Sequence, residues 1–181
     1  DELIIINIDE KINHKLNFEL LNDITSNIFI PVTYGGGINS LEIIREYLLN
    51  GADKICINSE AVRNPEIILN SSKYFGSSTI SVSIDYKKNK YNIYKVFINS
   101  GKEEVDIDPI SWAKEMESLG AGEIVLSNID RDGTKKGLDL LMIKNIVKQT
   151  TIPVICSGGC GTIQHFVDGY KIANVSAVSA S

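Results

Sequence analysis

Histidine is almost absent from this sequence: 181 residues contain only His14 and His165. A Ser-His-Asp or Cys-His constellation would have to use one of the two, oriented by a third group, which leaves carboxylates as the expected proton-transfer groups. Cysteines number three, Cys56, Cys156 and Cys160. The count is odd and contains no Cys-x-x-Cys pair, so neither a disulfide framework nor a structural zinc site is expected, and no cofactor is called for. No apolar run reaches the roughly 18 residues of a membrane span, and Asp1-Glu2-Leu3 lacks the basic segment of a secretory signal, so a cytoplasmic location is expected. Positive charge is in deficit, with 18 basic against 23 acidic residues and a net charge of -5. Nothing in that balance favours nucleic acid or an anionic membrane, and an anionic ligand must be held by local devices. The remaining composition is 43% hydrophobic and 23% charged, which excludes disordered, collagen-like and coiled-coil chains and suits one globular domain with a real core.

Short apolar, β-branched runs recur at Leu3–Ile6, Ile28–Val32, Lys54–Ile57, Thr79–Ile84, Glu123–Leu126, Pro153–Cys156 and Val175–Val178. They read as seven buried strands. Helical patterns lie between them, with boundary signals at Ser40 before Leu41–Asn50, at Asn64-Pro65, at Asp108-Pro109, at Asp139 before Leu140–Lys148, and at Thr162 before Ile163–Gly169. Alternating strand and helix predicts a parallel sheet covered by helices. The alternating segment Tyr91–Ile98, after the Lys87–Lys90 turn, predicts a small hairpin inserted behind the fourth strand.

An internal repeat sharpens this. Asn7-Ile8-Asp9 recurs as Asn128-Ile129-Asp130, Ile30-Pro31-Val32 as Ile152-Pro153-Val154, Gly36-Gly37 as Gly158-Gly159, and Ser59 as Ser181, all at offsets of 121 or 122. Two halves of this size would make ~250 residues, the length of a (β/α)₈ TIM barrel built from two half-barrels. The repeat partner of the strand ending in Asp85 would precede Asp1, so residues 1–181 are expected to be a single barrel domain lacking the first strand and the C-terminal end.

In such a barrel the loops after the strands build the site. Gly35-Gly36-Gly37 and Gly158-Gly159 follow strands and precede helices, so their N–H groups can approach an anion; Asn58-Ser59 and Ala180-Ser181 follow the next strand of each half. One such loop alone reads as a tight turn. Its duplication predicts two anion sites, suited to a substrate with a phosphate at each end. Acids follow strands at Asp9, Asp85, and Asp130 or Asp132, placed for acid/base work, with helix capping as the plain alternative. Asp130-x-Asp132-Gly133 does not make a calcium loop, because the twelfth position is Leu141. Cys56 and Cys156 lie in apolar runs and read as core.

Asp1-Glu2-Leu3, Tyr34-Gly35-Gly36-Gly37-Ile38, Gly51-Ala52-Asp53-Lys54, Ile57-Asn58-Ser59, Gly120-Ala121-Gly122-Glu123-Ile124, Asp130-Arg131-Asp132-Gly133-Thr134 and Ser157-Gly158-Gly159 resemble, in order along the chain, the cyclase subunit family of imidazole glycerol phosphate synthase. The resemblance implies a barrel enzyme, a lyase, of histidine biosynthesis. Such an enzyme takes ammonia from a glutaminase partner and converts a bis-phosphorylated ribulosylformimino-aminoimidazole carboxamide ribonucleotide into imidazole glycerol phosphate and aminoimidazole carboxamide ribonucleotide. It implies that Asp85 matches a family catalytic aspartate and Asp132 an assisting acid. By the same match Gly36, Gly37, Asn58 and Ser59 form one phosphate site, and Gly133, Gly158, Gly159, Ala180 and Ser181 the other, with Ser127 beside the substrate. Glu2, Lys54 and Glu123 match a charged ring at the ammonia entrance, and Asp53 a residue of the glutaminase interface. Asn7-Ile8-Asp9, Tyr34 and Asn128 depart from the family's usual residues. The first two features are similar to a cyclase-like branch that serves amidotransferases of surface-polysaccharide biosynthesis, an alternative in which the chain chiefly channels ammonia. The related isomerase of the histidine pathway shares the fold, but the Gly120–Ile124 and Asp130–Thr134 runs favour the cyclase.

Overall fold

A computed structural model of the chain describes residues 2–8 and 14–180, apart from the side chains of 15 and 16. Asp9 and Ser181, both named above as site residues, lie outside the described residues, as does Asp1. The described strands are β1 (Leu3–Ile6), β2 (Val32–Gly35), β3 (Lys54–Ile57), β4 (Ile80–Lys88), β5 (Tyr94–Ile98), β6 (Glu103–Val105), β7 (Glu123–Asn128), β8 (Val154–Ser157) and β9 (Ala177–Val178). The helices are α1 (His14–Thr25), α2 (Leu41–Leu49), α3 (Ser59–Arg63), α4 (Glu66–Phe75), α5 (Pro109–Ser118), α6 (Leu140–Val147) and α7 (Ile163–Asp168). Seven strands pair in parallel in the order β1-β2-β3-β4-β7-β8-β9, and β5 and β6 extend β4 as an antiparallel ribbon. This is a partial (β/α)₈ barrel.

Strand parity divides the apolar residues into two layers. Outward-facing Ile55, Ile57, Val82, Ile84, Ile124 and Leu126 join the helices in the main core, while inward-facing Cys56, Val125 and Ile155 form a separate small cluster with Ile4 and Ala177. Helix starts follow local chemistry. Ser40, Asp108, Asp139 and Thr162 each accept a first-turn N–H of the helix they precede, from Ile43, Ser111, Met142 and His165, caps worth about 1 kcal/mol each.

The repeat is visible in the backbone. Leu3 pairs with Val32 and Ile124 with Val154, and the Leu3 and Ile124 amides donate to Pro31 and Pro153 carbonyls, each at 2.9 Å. Gly36 (φ 105°) presses on the backbone of Asn7 and Gly158 (φ 91°) on that of Asn128 so closely that a Cβ at either would overlap the asparagine carbonyl oxygen. The caps Ser40 and Thr162 are repeat partners too.

Four expectations need correction. The run Ile28–Val32 joins the sheet only from Val32; Phe29 is 99% exposed, and Pro31, without an N–H, contributes only its carbonyl to β1. The fourth strand continues to Lys88, because β5 takes up its pairing where β3 stops; Asp85 is therefore flanked by Phe97 and Ser127 in mid-strand, not at a strand end. The inserted segment adds β6 to the expected hairpin, so that β4, β5 and β6 form a three-stranded ribbon. Helix α1 was not anticipated either.

Candidate active site

Inward-facing positions past the apolar cluster build a polar rim. Asp85 of β4 is in register with Ser127 of β7, and Ser127 with Ser157 of β8. The Ser83 hydroxyl lies 3.4 Å from Asp85 Oδ1, and the Asn58 side chain, just past β3, also hydrogen-bonds the carboxylate. Burial pushes the Asp85 carboxyl up to about 6, with the charge of Asp132 adding to the rise, while the bonds from Asn58 and Ser83 work against it. A carboxyl that titrates near neutrality can both take and return a proton.

The residues expected to form the second anion loop are brought together. A cleft of about 50 Å³ is lined by Asp132, Gly133, Ser157, Gly158, Gly159 and Ala180, together with Lys135, Cys160 and Ser179. Gly133 (φ 70°) has open space around its Cα. In the first half, Gly36 and Gly37 stand beside the end of β3, because Gly35 pairs with Cys56. Asn58 is turned to Asp85, and the Ser59 hydroxyl accepts the Asn99 amide at 3.1 Å. The first-turn amides of Ile43 and His165 are already bonded to Ser40 and Thr162, so an anion here would meet loop amides before it met a helix end.

At the opposite ends of the strands a charged cluster closes the interior. Lys54 Nζ lies 3.0 Å from Glu2 Oε2 and 2.9 Å from Glu123 Oε2. Thr33 donates to the other Glu2 oxygen and Ser81 to the other Glu123 oxygen, the latter at 2.6 Å. Burial pulls Lys54 down, but Glu123 and Glu2 outweigh it and leave the ammonium more firmly protonated than usual. Asp53, on the same face, accepts the Val32 amide at 2.8 Å and borders a cleft of about 510 Å³ with Phe29 and Ile30. Cys56 lies between the two ends; burial, then the charges of Asp85 and Glu123, push its thiol up to about 12, and Cys156 rises similarly through burial. Both are neutral core thiols. Among the described residues no group of three or more His, Cys, Asp or Glu side chains could hold a metal ion, and no helix is long and apolar enough to cross a membrane.

The family model for histidine biosynthesis protein matches residues 1–181. The chain belongs to the histidine biosynthesis protein family. It is 45% identical to the imidazole glycerol phosphate synthase subunit HisF of Hydrogenobaculum sp., 42% to that of Chloroherpeton thalassium and 41% to that of Thermococcus onnurineus. Each match takes in 100% of this chain and 72% of the relative.

Within this histidine biosynthesis protein, the sequence pattern missed the residues that hold the charged ones. Ser83, Thr33 and Ser81 share a strand face with Asp85, Lys54 and Glu123 through pairing register, and period-two counting from each charge would have found Ser83. Lys135 was missed because a lysine in a polar loop carries no signal of its own.

Proposed function

We propose that this chain is the cyclase subunit of an imidazole glycerol phosphate synthase and that Asp85 moves the protons of the ring-forming step. The observation that carries the reading is a partly desolvated carboxyl, raised to about 6, at the same end of a barrel as two glycine loops related by the repeat. A substrate phosphorylated at both ends would rest one phosphate near Gly36, Gly37 and Ser59 and the other in the cleft at Gly133, Gly158, Gly159 and Ala180, with its reacting centre over Asp85 and Ser127. Asp132, whose charge Asp85 feels, would serve as the assisting acid.

Ammonia would enter past Glu2, Lys54 and Glu123 from a glutaminase docked on the face that carries Asp53. The interior beyond that cluster is lined by Ile4, Cys56, Val125, Ile155 and Ala177, apolar groups that admit neutral ammonia and disfavour ammonium. Its lone pair would then attack the ribulosyl keto carbon, whose oxygen leaves as water, and the nitrogen so bound would close on the formimino carbon, breaking that carbon's bond to the aminoimidazole nitrogen; Asp85 would accept and return the protons of these steps.

Asp85→Asn keeps the shape and removes the acceptor. Turnover with free ammonia is expected to fall ~10²-fold or more, with the substrate KM changed far less; unchanged turnover would overturn the role. Growth of a cell lacking the histidine cyclase, restored by this gene, tests the substrate assignment.

A further inference from the structure

The loop of residues 129–138, which carries Asp132 and Gly133, is closed at its base by a buried side-chain pair. Asn128 is 4% and Asp139 6% exposed. Asn128 Nδ2 donates to Asp139 Oδ2 at 3.0 Å, and the Tyr94 hydroxyl donates to the same oxygen at 2.7 Å. Asp139 Oδ1 faces the Met142 amide at 3.4 Å at the start of α6. No Lys or Arg among the described residues pairs with this carboxylate; it is held by neutral donors, a geometry that fixes direction where an ion pair to a long side chain would not.

Asn128 also grips the loop itself. Its Oδ1 accepts the Asp130 amide at 3.1 Å, and its carbonyl accepts the amides of Arg131 and Asp132, each at 3.1 Å. Arg131 spends its guanidinium on the loop's far end, donating to the Gly137 and Leu138 carbonyls at 3.0 and 3.3 Å, and Gly137 donates to Gly159 of the second anion loop at 2.8 Å. One hub thus touches the backbone of Asp132, the start of α6, the β5 ribbon and, through Gly137, the neighbouring loop.

We infer that Asn128, Asp139 and Tyr94 form a positioning clamp that sets where Asp132 and Gly133 stand relative to Asp85, and that the β5–β6 ribbon serves the reaction through Tyr94. The clamp rests on the proposed cyclase reading for its effect on turnover, but not for its effect on the loop.

The test uses Tyr94→Phe, which deletes one hydroxyl, and Asn128→Asp, which is nearly isosteric but sets a carboxylate against Asp139. Hydrogen exchange at the amides of Asp130, Arg131, Asp132 and Gly137 is expected to quicken tenfold or more in both variants, while amides inside β7 such as Leu126 keep their wild-type rates. In ammonia-dependent turnover, kcat should fall roughly tenfold through misplacement. The same substitutions placed in an Asp132→Asn background should cost little further kcat, because a clamp that acts through Asp132 has nothing left to position. Unchanged loop exchange in Tyr94→Phe overturns the clamp, and additive losses in the double variants overturn its action through Asp132. If Asn128→Asp fails to fold, Tyr94→Phe alone decides. Absence of ammonia-dependent turnover in the wild-type protein would sink the cyclase reading and leave the exchange result to judge the clamp.

Discussion

Lys54 and Glu123 join strands that are not neighbours: their side chains meet at 2.9 Å across the whole width of β4. The bridge passes because the inward residue of β4 at that level is Ser81, small enough to lie beneath it and able to donate to the same carboxylate. Glu2 takes a second face of the ammonium, so one cation ties β3 to residues at the starts of β1 and β7.

Lys54→Met leaves two carboxylates facing each other without their cation. Because the side chains are 12–24% exposed, the loss is expected at about 1–3 kcal/mol rather than the full cost of a dry orphaned charge, read by urea unfolding at pH 7. A lysine raised in the folded state contributes fully below its unfolded value of about 10.4 and loses that contribution as pH rises through the higher folded value. The gap between variant and wild type should therefore be constant from neutral pH to about 10 and close above it.

For Asp85 the direction is the same, shifted to acid pH. Its carboxyl is raised to about 6 against ~3.9 in the unfolded chain, so the folded state holds a proton that the unfolded state has lost. Stability contributed by this group is full below about 4 and declines as pH rises to about 6. Asp85→Asn is thus expected to be more stable than wild type at pH 7, by up to about 2 kcal/mol, and level with it at pH 4. Equal stabilities at pH 7 would contradict the raised value.

Substituting the loop glycines should separate folding from binding. Gly36→Ala and Gly158→Ala place a methyl group into the backbones of Asn7 and Asn128, so both are expected to lower Tm sharply. Gly133→Ala meets nothing within 4 Å and bears only the left-handed backbone cost of about 1–2 kcal/mol. An inorganic phosphate titration of Gly133→Ala, in a protein that still folds, should show weaker binding at the second cleft.

Tyr86 is fully buried; its hydroxyl lies beside the Asn128 side chain but meets no partner in good hydrogen-bonding geometry. Leaving a buried polar group unmatched costs about 1–3 kcal/mol. Tyr86→Phe should raise the unfolding free energy by about 1 kcal/mol; a clear loss in thermal denaturation would show that the hydroxyl is satisfied after all.

The parallel strands were legible because each is a short β-branched run, and the two-half plan because Asn7, Gly36 and Pro31 each recur 121 or 122 residues on. Asp85 was legible as a lone acid following an apolar run. Phe29 was not, because β-branched neighbours mark a strand only where the chain can offer amides to a ladder, and Pro31 removes one at that point. The bonds that hold the site escaped for a different reason. Tyr94, Asn128 and Asp139 lie up to 45 residues apart, and Thr33 and Glu2 lie 31 apart; their meeting depends on strand register and loop closure, which no local pattern encodes.

Because β4 runs on past the rim, Asp85 is paired to Phe97 on one side and Ser127 on the other, whereas Asp132 rides on an exposed loop. The two acids consequently belong to different cooperative units. The first can leave its position only when the sheet opens, and the second whenever its loop does. Adaptation of the barrel to a bulkier or differently shaped substrate would therefore be cheapest on the Asp132 side, with the Asp85 carboxyl staying as a fixed point of reference.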